Sequence, residues 1–198
     1  MIKKNKLVYG VGVNDADYAV NKCKNRKIVW RCPYYQTWKD MLKRAHSDKY
    51  KQKQPTYQGV AVCEEWYSFM RFRAWMVEQD WEGKELDKDI LFQGNKVYSP
   101  TTCVFVGGVV NTFLLDSAAS RGEWPTGVYW NEQKQKFRSQ CSNPFTKKRE
   151  SLGYFHCPQQ AHRTWRKRKH ELSCQLADIQ TDERVAEALR TRYEGGDD

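Results

Sequence analysis

No stretch of the 198-residue chain approaches the roughly 20 consecutive apolar residues that a membrane-crossing helix requires. The start, Met1-Ile-Lys-Lys-Asn-Lys, is charged but has no apolar segment behind it, so no signal peptide is read. No CxxC pair occurs among the seven cysteines (Cys23, Cys32, Cys63, Cys103, Cys141, Cys157 and Cys174). Their odd number and wide scatter signal neither a disulfide framework nor a zinc ribbon. No internal repeat is visible. These absences predict a cytoplasmic protein with no membrane partner and with reduced, mostly buried thiols.

Aromatic side chains are plentiful, with eight Trp and eleven Tyr. The chain is long enough for one medium domain or two small ones. Lys and Arg number 34 against 24 Asp and Glu, a formal charge of +10. That charge is unevenly spread. Residues 1–60 hold 14 basic and 4 acidic side chains, 61–116 hold 5 and 9, 117–175 hold 12 and 4, and 176–198 hold 3 and 7. Basic blocks suit the neutralisation of backbone phosphates, where each contact releases condensed counterions. An acidic stretch between them suits a divalent cation.

Residues 7–32 read as irregular or strand-like. Tyr35, Trp38, Leu42 and Ala45 recur on one face of a predicted helix over 34–46. Residues 49–54 read as a polar connector ending at Pro55. A short buried strand is predicted over 59–63 and a helix over 64–80, with Trp66, Phe69, Phe72 and Met76 at helical spacing. Two β-prone runs, 86–92 and 97–106, flank Gln93-Gly-Asn-Lys96 and read as a hairpin-like element, followed by a helix from 108 to about 119. Arg121-Gly-Glu-Trp-Pro125 reads as a linker. Beyond it, strands are predicted at 127–131, 136–141 and 151–155. A helix is predicted from Pro158, with Arg163, Arg166, Lys167 and Lys169 outward, and an acidic helix at 182–193 behind Thr181.

The sharpest cluster is Leu86-Asp87-Lys88-Asp89, then residues 98–105, then Asn111. A carboxylate on a strand and an amide on a later helix are oxygen ligands suited to Mg²⁺ (or Mn²⁺) that keeps waters and a phosphate oxygen. The same residues also read as a solvated turn and a helix cap. The residues alone leave both open.

Trp38, Met41, Arg44, the run Tyr57-Gln-Gly-Val-Ala-Val-Cys-Glu-Glu-Trp66, Phe69, Phe72, Trp75-Met76, Leu86-Asp-Lys-Asp89, Asn95, Tyr98-Ser-Pro100, Cys103-Val-Phe105 and Asn111 together resemble phage-type HNH (ββα-metal) homing endonucleases. The resemblance covers about residues 8–116 and implies a hairpin packed on a helix, with the ion held by a strand residue and a helix residue. Carried over, Asp87 and Asn111 are the implied metal ligands. The sequence departs from the pattern at Lys88, where the family usually has a His general base. His46, His156, His162 and His170 all lie outside the motif. A free lysine is a poor proton acceptor at neutral pH. Three roles stay open: Lys88 stabilises phosphate charge, Asp89 or a metal-bound water takes the proton, or the site binds without cutting. The implied catalytic set is Asp87, Lys88, Asp89 and Asn111.

Gly127-Val-Tyr-Trp130, Lys136-Phe-Arg-Ser-Gln140, Leu152-Gly-Tyr-Phe155 and Pro158-Gln-Gln-Ala161 resemble the AP2-type DNA-binding domain over about 124–176. The resemblance implies a three-stranded antiparallel sheet lying on one helix and entering the major groove. Candidate contacts are Tyr129, Trp130, Lys136, Arg138 and Gln140 on alternating faces, with Lys147, Lys148 and Arg149 toward phosphates. Phe137, Leu152, Tyr154 and Trp165 are expected to form the small core. The run Arg163 to His170 reads as a solvated helical face or as an extension of the phosphate footprint.

The whole reading is an α+β chain with three parts: an HNH-like module at 1–120 with a helical N-terminal extension, an AP2-like module at 121–177, and an acidic tail helix at 178–198. Its expected partner is double-stranded DNA, with no obligate protein partner evident. If the chain is phage-encoded, its compartment is the host cytoplasm. The rival expectation is a sequence-specific DNA-binding protein without catalysis, which Lys88 favours. A weaker one is RNA binding through exposed aromatics.

Overall fold

The computed structural model describes residues 7–115 and 123–194. The chain divides into two units, Met1–Val106 and Gly107–Asp198. It is mixed α+β with small sheets.

In the first unit, an antiparallel hairpin of β1 (Asn21–Lys24) and β2 (Lys27–Arg31) leads into α1 (Pro33–His46). Pro33 sits in the first helical turn, where its missing N–H costs nothing, and Lys43, Arg44 and His46 face the negative end of the helix dipole. The buried face is Tyr35, Trp38, Met41, Leu42 and Ala45. Residues 49–53, expected as a connector, belong to a short helix, α2 (Asp48–Lys53), with Gln54 as its C-cap. The Ser47 hydroxyl caps it by accepting the Tyr50 amide at 3.3 Å. It buries no side chain, so it carries no hydrophobic period that a sequence reading detects.

The expected helix over 64–80 is broken. A 3-10 turn covers Glu64–Tyr67, and α3 runs over Phe69–Val77. The break is Ser68, whose hydroxyl accepts the Arg71 amide at 3.1 Å and donates to Asp15 at 2.6 Å. Asp15 also accepts the Met70 amide at 2.9 Å, so a residue far away in sequence completes the cap. Trp38, Trp66, Phe69, Phe72 and Met76 are fully buried together, and Trp38 Nε1 donates to the Trp66 carbonyl at 2.7 Å.

The hairpin expected at 86–106 takes a different form. β3 (Ala61–Val62) pairs in parallel with β5 (Val97–Tyr98), whereas β4 (Lys84–Asp87) pairs with β6 (Val104–Gly107). Pro100 has no amide hydrogen, and the turn after Ser99 splits the second run into two strands, with Cys103 donating back to the Ser99 carbonyl at 3.0 Å.

His46 closes α1 beside Tyr67, ring centroids 5.6 Å apart, and its Nε2 is buried without a partner. Burial, helped by the nearby Lys51 charge, holds its pKa below the ordinary imidazole value. Because the folded value lies below the unfolded one, its stabilising contribution is complete above the unfolded pKa of about 6.5 and is lost as pH falls. His46→Phe should therefore flatten the loss of stability between about pH 7 and pH 5 seen in denaturant titrations. An unchanged pH profile would refute this.

In the second unit, α4 (Gly108–Leu114) precedes a sheet of β7 (Val128–Asn131), β8 (Lys136–Ser142) and β9 (Arg149–Phe155). The order is β7-β8-β9, antiparallel throughout. The long helix α5 (Pro158–Ala177) packs across the sheet, and α6 (Glu183–Thr191) packs on α5. Asp182, rather than Thr181, caps α6 by accepting the Arg184 amide at 3.0 Å. The acidic tail is part of this unit: Val185, Ala186 and Leu189 of α6 are buried, as are Leu172 and Leu176 of α5. Ser173 also donates to the Leu189 carbonyl at 2.7 Å. The division after Val106 puts α4, read from sequence with the first module, in the second unit. The helix expected to reach about 119 ends at Leu114, with Leu115 as its C-cap in a non-helical conformation, and residues 116–122, including the start of the linker at 121, lie outside the described residues.

Candidate functional site

Asp87 ends β4. One carboxylate oxygen, Oδ1, accepts the amides of Asp89 at 2.8 Å and Ile90 at 2.7 Å, which locks the chain into a turn after the strand. Burial first and the neighbouring Asp89 charge second push its pKa above the ordinary carboxylate value, against the two amides that oppose the shift. Asn95 braces the turn by donating to the carbonyls of Lys88 at 2.6 Å and Val97 at 2.7 Å. Lys88 is only 7% exposed, and its Nζ donates to Asp89 Oδ2 at 3.0 Å. Asn111 lies half-buried on α4 in the other unit.

Among the described residues no group of three or more His, Cys, Asp and Glu side chains is placed to hold a metal. The donor chemistry at Asp87 and Asp89 is oxygen only, with one carboxylate desolvated and disfavoured by its neighbour's charge. That suits a hard cation that keeps most of its waters, and does not suit a zinc cage.

On the three-stranded sheet, pairing register assigns the faces. Tyr129 pairs with Arg138 and Arg138 with Tyr154; Lys136 pairs with Asn131, and Gln140 with Ser151. These side chains share the face turned away from α5. The opposite face carries Val128, Trp130, Phe137, Ser139 and Cys141, of which Val128, Ser139 and Cys141 are buried. A bulge between Ser139 and Gln140 leaves Leu152 without a partner.

Two expectations change with these faces. Trp130 lies on the helix side, edge-on to Phe137 at 4.9 Å, with its indole N–H donated to Glu132. Tyr154, expected in the core, lies outside beside Arg138, with Lys134 Nζ 3.9 Å from its ring centroid. The Gln140 side-chain amide lies against the Arg138 guanidinium on this face. Lys147, Lys148 and Arg149 are exposed at the β8–β9 turn. Asn143 holds that turn by accepting the amides of Phe145 at 2.8 Å and Thr146 at 3.0 Å.

Three cations of the basic run on α5 are half-buried and engaged by groups of the protein. Arg168 pairs with Glu150 at 2.7 Å and Glu171 at 2.8 Å. Lys169 donates to the Phe113 carbonyl at 2.7 Å, and burial lowers its pKa to about 8. Arg166 reaches the Tyr193 carbonyl at 3.4 Å. Only Arg163 and Lys167 of these cations are exposed, which corrects the outward reading of Arg166 and Lys169.

The sequence reading passed over one basic element, the β1–β2 hairpin, whose residues 22–30 are all exposed. The signal was there: no acidic residue falls between Asp17 and Asp40. No family model, curated protein or solved structure matches the chain. No helix among the described residues is long and apolar enough to cross a membrane.

Proposed function

We propose that the protein binds double-stranded DNA through the outer face of β7–β9, and that its first unit is a metal-dependent DNA endonuclease centred on Asp87. The observation that carries the binding half is the convergence of Tyr129, Lys136, Arg138, Gln140 and Tyr154 on one sheet face, with α5 behind it. A ribbon of strands fits the major groove, and an arginine on its outer face, as Arg138 is, can read guanine bidentately. Exposed Lys147, Lys148 and Arg149 supply phosphate contacts. This layout agrees with an AP2-like module.

The nuclease half rests on the resemblance of residues 8–116 to HNH-type homing endonucleases and on the chemistry of the acidic turn. A bound Mg²⁺ or Mn²⁺ would polarise the scissile phosphate and stabilise the leaving oxygen. Asp87 is the ligand we assign from the turn, and Asn111 is assigned by the resemblance alone. Lys88 Nζ donates to Asp89, so we assign Lys88 to positioning Asp89 rather than to taking the proton. Proton acceptance then falls to Asp89 or to water.

The second reading is a DNA-binding protein that does not cut, and the buried Lys88, paired with Asp89 where a general base is expected, favours it. A nicking assay on supercoiled plasmid with Mg²⁺ and with Mn²⁺ separates the two. Retained duplex binding without cleavage under either metal would refute the nuclease reading. Arg138→Ala should weaken duplex binding by about 1–3 kcal/mol and relax sequence preference at one base pair. Equal affinity of wild type and variant for all duplexes would remove the sheet from recognition.

A further inference from the structure

Residues 22–30 of the β1–β2 hairpin are exposed, and three features of the hairpin oppose its own stability. Its two-residue loop holds Asn25 at φ 50° and Arg26 at φ 62°, both left-handed. Such a loop favours Asn followed by Gly, so an arginine in the second place is strained. Lys24 and Lys27 face each other directly across the strands, a repulsive pair. Ile28, Val29 and Trp30 are 50%, 62% and 42% exposed.

Register puts Lys22, Lys24, Lys27 and Trp30 on one face, since Lys22 pairs with Trp30 and Lys24 with Lys27. Lys22 Nζ stands 5.3 Å from the Trp30 ring centroid. Arg31, by contrast, is occupied: its Nε donates to Asn21 at 2.9 Å and another guanidinium nitrogen to Gln36, which donates to Asp40 at 2.5 Å. The hairpin base is thus anchored to α1 while its outer part is left as a cationic ribbon.

We propose that this hairpin is a second duplex-DNA contact, in which Lys22, Lys24, Arg26 and Lys27 grip backbone phosphates and Trp30 packs against the sugar edge. The inference rests on the DNA-binding reading above. A polyanion relieves the Lys24–Lys27 repulsion and gives the strained Arg26 a use, whereas a second copy of the same cationic ribbon would be repelled. A two-stranded ribbon also has the cross-section the major groove admits.

The test measures binding of the full chain to a mixed-sequence DNA duplex across a KCl series, with thermal melting in parallel. Each lost phosphate contact should reduce the slope of log affinity against log salt by about 0.9, so Lys24→Gln with Lys27→Gln should reduce it by roughly 2 and lower affinity at least ~10-fold at physiological salt. Arg26→Gly should weaken binding and reduce the slope by about 1 while raising the melting temperature, because it removes strain and a contact together. Wild-type slopes in both variants overturn the proposal and leave the sheet-mediated reading standing. Affinity lost only in step with a lower melting temperature overturns it too. So does hairpin-dependent binding to anionic phosphatidylserine vesicles without hairpin-dependent binding to DNA. If wild type binds no duplex, the DNA-binding reading fails and the hairpin proposal with it.

Discussion

Replacing Asp87 by alanine is expected to lower Mg²⁺-dependent plasmid nicking by at least ~100-fold while duplex affinity stays within about twofold. The size follows from charge. A cation held by few protein ligands loses its one desolvated anionic partner, and several kcal/mol of charge stabilisation go with it. Tightly placed backbone amides point at the same carboxylate, so alanine also removes the acceptor that shapes the turn. Asp87→Asn separates the two effects. It keeps an oxygen for the amides of Asp89 and Ile90 but lacks the negative charge, so it should fold normally and still fail to cut. Activity equal to wild type in Asp87→Asn, at any Mg²⁺ concentration, would move the metal away from Asp87. Affinity is expected to survive because the sheet contacts belong to the other unit.

Gly127→Ala should destabilise the second unit by roughly 2–4 kcal/mol, a fall of about 10–25 °C in its melting temperature. Gly127 adopts φ +78°, and a β-carbon there would lie 2.1 Å from Trp165 Cδ1 and 2.3 Å from Cγ. The conformation alone costs about 1 kcal/mol for a residue with a side chain. The overlap adds the larger share, because Trp165 cannot step aside. His162 stacks on it at 5.3 Å and Tyr193 meets it edge-on at 6.1 Å. Two comparisons isolate the cause. Gly153→Ala, at φ +124° but with Phe155 no nearer than 3.4 Å, should suffer strain without collision. In a Trp165→Ala background the Gly127→Ala cost should shrink toward the strain alone, a non-additive pair. Additive losses would show that the indole is not the obstacle.

Elements that bury a periodic face were legible in the sequence. The stripe Tyr35, Trp38, Leu42 and Ala45 marked α1, and the runs around Tyr129, Arg138 and Tyr154 marked three strands with their helix beginning at Pro158. Elements held by polar contacts were not. Nothing apolar distinguishes α2 from a connector, and the break at Ser68 depends on Asp15, a partner no local window contains. The acidic tail was legible as a helix but not as part of a core, because its few apolar residues, Val185, Ala186 and Leu189, are sparse among charges. Only beside Leu172 and Leu176 do they become a core.

The candidate sites divide in the same way. Composition and motif order alone singled out the acidic stretch around Asp87 and the basic strands after residue 124, because charge and turn chemistry are local properties. Which groups stand where was a tertiary matter. Strand register, set by pairing rather than by residue type, put Tyr154 on the outer face and Trp130 on the helix face, where it stays 41% exposed. Folding gave Arg166, Arg168 and Lys169 partners within the protein and left residues 22–30 of the β1–β2 hairpin exposed, since a long cation is spent wherever a carbonyl or carboxylate meets it. A sequence counts its charges, but only the fold decides which of them face the solvent.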